Sequence, residues 1–140
     1  MNVNIKIIPK EQILTILPLL QQLNNYTEED VLKQRVLEMA NQHYKCVGMY
    51  FNEELIGISG LWFLTRHYIG KTIEPDHVII HESYRNEGLG KQLFDWIHQY
   101  AKDHNYEATE LNTFIENIKS HKFYENQGYR KLGLHFVKKI

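Results

Sequence analysis

The chain is poor in the residues that would bring metals, disulfides, nucleic acids or membranes into play. Its 140 residues hold one cysteine, Cys46, so neither an internal disulfide nor a cysteine-based zinc site can form. Cys46 sits in an apolar run, where a small core residue is a better reading than a nucleophile. Basic residues are not in excess: 16 Lys and Arg stand against 17 Asp and Glu, a formal net charge of -1. That balance gives no electrostatic footprint for nucleic acid. No apolar run is long enough to span a bilayer, and the start, Met1 to Lys6, lacks the apolar core of a signal peptide. A cytoplasmic location, with no nucleic-acid or membrane partner, is expected. Eight histidines invite a metal site. The best-spaced pair, His77 and His81, lies in strand-like sequence, where four residues span roughly 13 Å, too far for one ion. No metal is expected.

What is present is an ordinary globular balance, 43% hydrophobic and 24% charged, in a length that suits one domain over residues 1–140 and is too short for two. Val3 to Ile8 alternate and read as a strand ended by Pro9. Ile13, Leu14, Ile16, Leu17, Leu20 and Leu23 recur at helical spacing over residues 10–24, with Pro18 a kink or break. A turn at Asn24-Asn25-Tyr26 leads to a cap-like Thr27-Glu28-Glu29-Asp30 and a second helix carrying Val31, Leu32, Val36 and Met39 on one face. The period then becomes that of strands, with a hairpin from Cys46–Phe51 and Leu55–Leu64 around Asn52-Glu53-Glu54. Gly57 and Gly60 in its second arm point to close backbone packing or a bulge. A strand ending at His81 follows, then a helix to about His104 bearing Leu89, Leu93, Phe94, Ile97 and Tyr100. Glu107 to Phe114 reads as a strand, Asn117 to Gln127 as a helix, and Tyr129 to Lys139 as a final strand or pair broken by Gly133.

The most informative stretch joins two of these elements. Val78-Ile79-Ile80 leads into Arg85-Asn86-Glu87-Gly88-Leu89-Gly90 and then into the helical pattern. A strand that ends in a glycine-bearing turn at a helix start aims several backbone N–H groups, and the positive end of the helix dipole, at one spot. Gly88 and Gly90 let a bulky anion approach the main chain, and Arg85 and Lys91 flank the turn with positive charge. A P-loop is excluded, because Gly90-Lys91-Gln92 has no glycine at the required distance upstream and no hydroxyl for magnesium. The dinucleotide fingerprint fails too, since Leu93 stands where its third glycine or alanine belongs. The pattern left is Arg/Gln-x-x-Gly-x-Gly/Ala. Downstream, Asn117 opens a helix that carries Phe123-Tyr124 and ends in Gly128-Tyr129. With both motifs in this order the chain resembles the GNAT superfamily of N-acetyltransferases, over roughly residues 46–132. The N-terminal third matches only in its pattern of elements.

The element succession βααβββαβαβ, with room for one further strand, is the order of that family. The resemblance implies an α/β (α+β) fold, with a mixed, mostly antiparallel sheet of six to seven strands flanked by about four helices. It implies acetyl-CoA (coenzyme A) as co-substrate, with the loop from Arg85 through Asn86, Glu87, Gly88, Leu89 and Gly90 to Lys91 holding the pyrophosphate chiefly by backbone amides. The main chain of Val78, Ile79 and Ile80 is then expected to pair with the pantetheine arm like an added strand; packing in the core is the plainer role of those three side chains, and both can hold. Tyr124 matches the family tyrosine that hydrogen-bonds the coenzyme sulfur and protonates the departing thiolate, a role suited to a phenol of ordinary pKa about 10. Its alternative is a core tyrosine. Asn117 matches the residue that holds the pantetheine arm, or it is a helix cap. On an ideal helix His121 shares the face of Asn117 and Tyr124; a solvated helix residue is the simpler account of it.

Amine acylation also needs a base. Glu74, Asp76 and Glu82 are the carboxylates near the fourth strand, and Glu74 is preferred because family members that use a glutamate base place it early in that strand; a solvated loop carboxylate is its alternative. Glu82 departs from the proline or apolar residue usual there in the family. The acceptor groove of the family is shaped by the connection between the first two helices and by the third-to-fourth strand connection, here Tyr26 and Trp62 to Tyr68. Trp62, Arg66 and Tyr68 suit a ring or apolar group with Arg66 pairing a carboxylate, and the same segment equally suits a homodimer surface. The reaction expected is acetyl transfer to a primary amine of a small molecule or protein. A non-catalytic acyl-CoA sensor, or a domain binding some unrelated anion, keeps the same cradle without turnover.

Overall fold

Alternating side chains along four strands within residues 4–80 build a meander whose two faces are both apolar. The computed structural model describes residues 1–140. Strands β1 (Asn4–Ile7), β2 (Tyr44–Phe51), β3 (Glu54–Arg66) and β4 (Gly70–Ile80) pair antiparallel in succession, and β5 (Ala108–Thr109) joins β4 in parallel. Asn52 and Glu53 both have positive φ, 48° and 66°, with Phe51 opposite Glu54. The β2–β3 hairpin therefore closes on two residues whose twist matches the strands they join.

Helices cover both faces. Lys10–Ile16 form a 3-10 segment that passes into α1 (Leu17–Leu23), and α2 is Glu29–Ala40. Pro18 explains the change of helix type: it lies in the first turn of α1, where a missing N–H costs nothing. Glu28 rather than Thr27 precedes α2, and no side chain caps it; instead Asn24 Oδ1 accepts from the Thr27 N–H, closing the turn before it. On this face Ile13, Ile16, Leu20 and Val36 pack on Tyr44, Cys46, Ile58 and Ile79. Cys46 is a core residue as expected, its thiol pushed up to about 12 by burial. On the other face α3 (Leu89–Asp103) sets Leu89, Leu93 and Ile97 on Val47, Met49, Ile56, Leu61 and Ile73. No helix is long and apolar enough to cross a membrane.

The fold class is the one expected, and the strand count is lower: five rather than six to seven. The strand read over Glu107–Phe114 contracts to Ala108–Thr109, and Tyr129–Lys139 forms none. The physical reason is the short contact between β4 and β5. They pair at Thr72 with Ala108 and at Ile73 with Thr109, the Glu110 N–H reaches the Ile73 carbonyl at 3.0 Å, and then the two segments separate. A strand needs an edge to bind; after this divergence residues 130–140 find none and are exposed throughout. Between Ile58 and Gly60 the β3–β4 register slips, a bulge at a glycine anticipated from the sequence, and His77 on β4 takes φ +37°.

Candidate active site

The turn before α3 is built to expose backbone donors. Gly88 sits at φ +73°, a left-handed conformation that favours glycine, and a Cβ placed on it would meet nothing within 4 Å. No side chain caps α3, and none of the seven backbone N–H groups from Arg85 to Lys91 donates to an acceptor within the chain. Uncompensated donors at a helix start draw an anion. Gly90 lies against α4 (Ile118–Asn126): a Cβ there would stand 3.3 Å from the Phe123 ring. Side-chain charge is directed elsewhere. Arg85 Nε donates to the Ile80 carbonyl at 3.2 Å, tying the loop to the end of β4, and Lys91 Nζ pairs with Asp95 at 2.7 Å along the outer face of α3. Glu82 opens a single 3-10 turn, Glu82–Tyr84, and is itself exposed.

Because β5 leaves β4 after Ile73, the β4 edge from Glu74 to Ile80 has no strand partner on that side. Ile79 is buried against the α1–α2 side, and Val78 and Ile80 pack on the α3 side. Their side chains thus have the core role and their main chain lines an open edge. Tyr124 on α4 comes from the far wall of the cleft. Its ring packs edge-on to Phe94, Phe123 and Tyr129 at 5.5, 5.4 and 6.1 Å, and its hydroxyl makes no hydrogen bond within the chain. Burial first, then the charge of Asp76, hold its pKa above the ordinary value, so the phenol stays protonated at neutral pH. Asn117 is the cap of α4, its Oδ1 accepting from the Ser120 N–H at 3.2 Å, which leaves its Nδ2 uncommitted. His121 bonds through Nε2 to the Phe114 carbonyl, 2.9 Å away.

On the face covered by α1, the bulge gathers a polar cluster. Asp76 Oδ2 accepts from Trp62 Nε1 at 3.0 Å, and Asp76 Oδ1 from the His77 N–H at 2.9 Å. Tyr44 Oη lies 2.6 Å from His77 Nε2, and the Asp76 Oδ2–His77 Nδ1 distance is 3.4 Å. The bond with His77, ahead of the Trp62 bond and against the effect of burial, lowers the Asp76 pKa to about 2. Burial raises that of Tyr44 well above its ordinary value, so its hydroxyl keeps its proton at neutral pH. Glu74, opposite Trp62, has a different environment: burial, then the charges of Asp76 and Glu110, raise its pKa, against a weaker pull from Arg66 at 3.9 Å. Asn112 Nδ2 reaches Glu74 Oε2 at 3.5 Å. Among the polar groups of this cleft no three His, Cys, Asp or Glu side chains are placed to hold a metal ion.

Arg66 is already paired. Its Nε donates to both Glu110 oxygens, at 2.7 and 2.8 Å, so the guanidinium expected to meet an acceptor carboxylate is taken by one from the chain itself. Trp62 joins the cluster, its ring 4.7 Å from that of Tyr44. Tyr26 and Tyr68 do not: they are 83% and 68% exposed and hydrogen-bond to none of it. Tyr44 and His77 were not singled out as site residues from the sequence. Their one sequence signal is Gly60, where a Cβ would overlap the His77 imidazole and come within 2.9 Å of Tyr44.

A family model described as the acetyltransferase (GNAT) family matches residues 13–129. An aminoalkylphosphonate N-acetyltransferase of Salmonella typhimurium is 28% identical over 101 residues, 71% of this chain and 64% of that protein. An N-acetylaspartate synthetase of Rattus norvegicus is 29% identical over 82 residues, 57% of this chain and 27% of the relative. The chain thus spans a little under two thirds and about a quarter of those proteins. Among solved structures, a ribosomal-protein-alanine N-acetyltransferase from Brucella melitensis superposes with a TM-score of 0.82 at 18% identity, over 99% of both chains. The aminoglycoside N-acetyltransferase AAC(6')-Iy in complex with CoA gives 0.83 at 17% identity, over 99% of this chain and 95% of that one. At such identity the likeness is one of fold. The family match, in contrast, runs from the first helical segment to Tyr129 and so takes in the open strand edge, the donor-rich turn and the tyrosine helix together: this chain belongs to the acetyltransferase (GNAT) family.

Proposed function

We propose that the protein is an acetyl-CoA-dependent N-acetyltransferase acting on a primary amine of a small molecule or protein, in the cytoplasm. The observation that carries this reading is the run of seven N–H groups without acceptors, Arg85 to Lys91, at one end of a cleft whose far wall holds a protonated, unbonded tyrosine. Bound acetyl-CoA supplies an activated acetyl thioester. Residues 85–91 suit its pyrophosphate, with Gly88 and Gly90 leaving the main chain accessible. The free edge at Val78, Ile79 and Ile80 suits the amide groups of its pantetheine arm, and the uncommitted Nδ2 of Asn117 can add a donor.

Transfer forms a bond from the amine nitrogen to the acetyl carbon and breaks the carbon–sulfur bond. Tyr124 gives its proton to the departing sulfur. Glu74 takes the proton lost by the amine, directly or through water, and its raised pKa narrows the gap to an alkylammonium of pKa about 10.4. Asp76, held low by its bonds to His77 and Trp62, is the poorer base. The relatives' names point to acceptors as different as an aminoalkylphosphonate, an aminoglycoside and a ribosomal protein. Likeness alone therefore leaves the acceptor open.

A homodimer fits the C-terminal third. No residue after Ala101 is buried, and Phe114, Ile115, Ile118, Leu132, Leu134 and Phe136 are exposed. Leu132, Leu134 and Phe136 alternate with polar or small residues, as along one face of a strand. The apolar surface of the six is on the order of 800 Å², about what one partner contributes to a stable interface. A second copy provides the strand partner that the divergence of β4 and β5 removes.

Four outcomes are expected. Acetyl-CoA at ~100 times its Kd adds about 2.7 kcal/mol and raises the thermal midpoint by several degrees, whereas ATP and NAD do not; Gly88→Glu abolishes the shift. An equal shift with ATP would reduce the turn to a generic anion site. Tyr124→Phe lowers kcat by about 10²-fold or more while keeping the acetyl-CoA shift; unchanged turnover removes Tyr124 from the chemistry and favours a sensor. Glu74→Gln slows turnover most near neutral pH, where the wild-type carboxylate is ionised and the amine is not yet free, and least near pH ~10, where the amine deprotonates unaided. A pH–rate profile with the same deficit throughout would sink Glu74 as base. Light scattering gives twice the chain mass for the wild type and one chain mass for Leu134→Asp with Phe136→Asp; a monomeric wild type overturns the dimer.

A further inference from the structure

The α3 face of the sheet carries an open hollow that has no part in the acetyl-CoA cleft. It lies at the end of α3 remote from the donor-rich turn, since the helix rises roughly 24 Å from Gly88 to His104. The cavity is about 420 Å³, within the range of small-molecule sites. Its floor is aromatic. Phe63 of β3 meets Tyr106 at 5.6 Å and Tyr100 of α3 at 6.4 Å, and Tyr100 is stacked between Trp96 at 5.2 Å and His104 at 4.0 Å. Phe63, Tyr100 and Tyr106 pack on the core and are only partly buried by it. Rings anchored on one side offer the other as a fixed π surface.

The charge around that floor is of one sign. Lys45 Nζ stands 6.0 Å from the centre of the Phe63 ring, and Lys71 Nζ 4.5 Å from that of Tyr106. Neither ammonium is in an ion pair, and no Asp or Glu lines the hollow. Two carboxylates near in the chain are turned to other partners: Glu107 accepts from the Lys71 N–H at 3.0 Å, and Asp103 from Gln99 Nε2 at 2.8 Å. A helix C-terminus carries negative potential. Here the carbonyls of Tyr100, Ala101 and Lys102 accept from His104, Tyr106 and Asn105, which blunts it. Both lysines thus keep donors for an incoming anion.

We propose that this hollow is a second ligand site, separate from the acetyl-CoA cleft, that takes a small aromatic carboxylate. Its ring lies against Phe63, Tyr100 and Tyr106, and its carboxylate is drawn to Lys45 and Lys71 at the rim. A carboxylate suits the site better than a phosphate. There is no arginine fork and no helix N-terminus, only point charges beside a helix C-terminus, where a second negative charge costs more than it gains.

The test is a titration of the wild-type protein with benzoate, cyclohexanecarboxylate, benzyl alcohol and phenyl phosphate, followed by amide chemical shifts. Benzoate is expected to give saturable shifts at Lys45, Phe63, Lys71 and Tyr106 and to bind at least about threefold more tightly than each of the others. Lys45→Gln with Lys71→Gln, at two exposed positions, should weaken benzoate several-fold. Tyr106→Leu, which keeps both charges, should erase the advantage of benzoate over cyclohexanecarboxylate. Gly88→Glu should leave benzoate binding unchanged, because the site is not the coenzyme cradle. The inference is overturned by shifts that miss these residues, by benzoate binding no better than cyclohexanecarboxylate or benzyl alcohol, or by tighter binding of phenyl phosphate. An undiminished affinity in the lysine double variant, or a loss with Gly88→Glu, overturns it as well.

Discussion

Strands β4 and β5 run side by side for two residues and then part, and most of what distinguishes this molecule follows from that short contact. Parallel pairing would have satisfied the outer edge of β4 along its length. Cut off after Ile73, it leaves the main chain from Glu74 to Ile80 with an open side, and open strand edges recruit extended partners. Tyr124 of α4 packs on Phe94 of α3, and its hydroxyl has no partner in the chain. The turn at Arg85–Lys91, stapled to Ile80 by Arg85, sets the donors of α3 at the mouth of the same gap. The tail is left outside the sheet by the same divergence.

Two carboxylates two residues apart on β4 are pushed in opposite directions by their surroundings. Asp76 accepts from an indole, an imidazole and a backbone amide, all of which favour its charged form. Glu74 is half-buried among like charges and drifts upward. Such separation lets one group act as fixed charge and the other exchange protons. The Tyr44–His77–Asp76 chain locks the first: His77 is inserted between two partners at a bulge, in a backbone conformation that β strands rarely hold, and Gly60 is the room it needs.

Legibility in the sequence tracked locality. The donor-rich turn was readable because strand end, glycines and helix start are neighbours in the chain, and the donors they expose belong to the backbone. Pro18, Gly60 and the Asn52-Glu53 turn announced a break, a bulge and a hairpin for similar reasons: each is a property of a few consecutive residues. The tail misled because alternation at Leu132, Leu134 and Phe136 is a disposition toward a strand, and a strand exists only when another edge accepts its hydrogen bonds. The pairing of Arg66 was not legible because a free guanidinium and a paired one look alike in a sequence; its partner, Glu110, is 44 residues away.

The amino-acid sequence by itself determined the order of elements, the two apolar faces of the sheet, the donor-rich turn and the tyrosine helix, since periodicity and glycine placement act over single turns and strands. Only the tertiary structure decided that Asp76 is tied to His77 and Trp62 while Glu74 is not, that Arg66 belongs to Glu110, and that residues 130–140 lack a partner. Those outcomes depend on distances between segments remote in the chain. Charge pairing, desolvation and strand addition are set by those distances, and no stretch of sequence contains them.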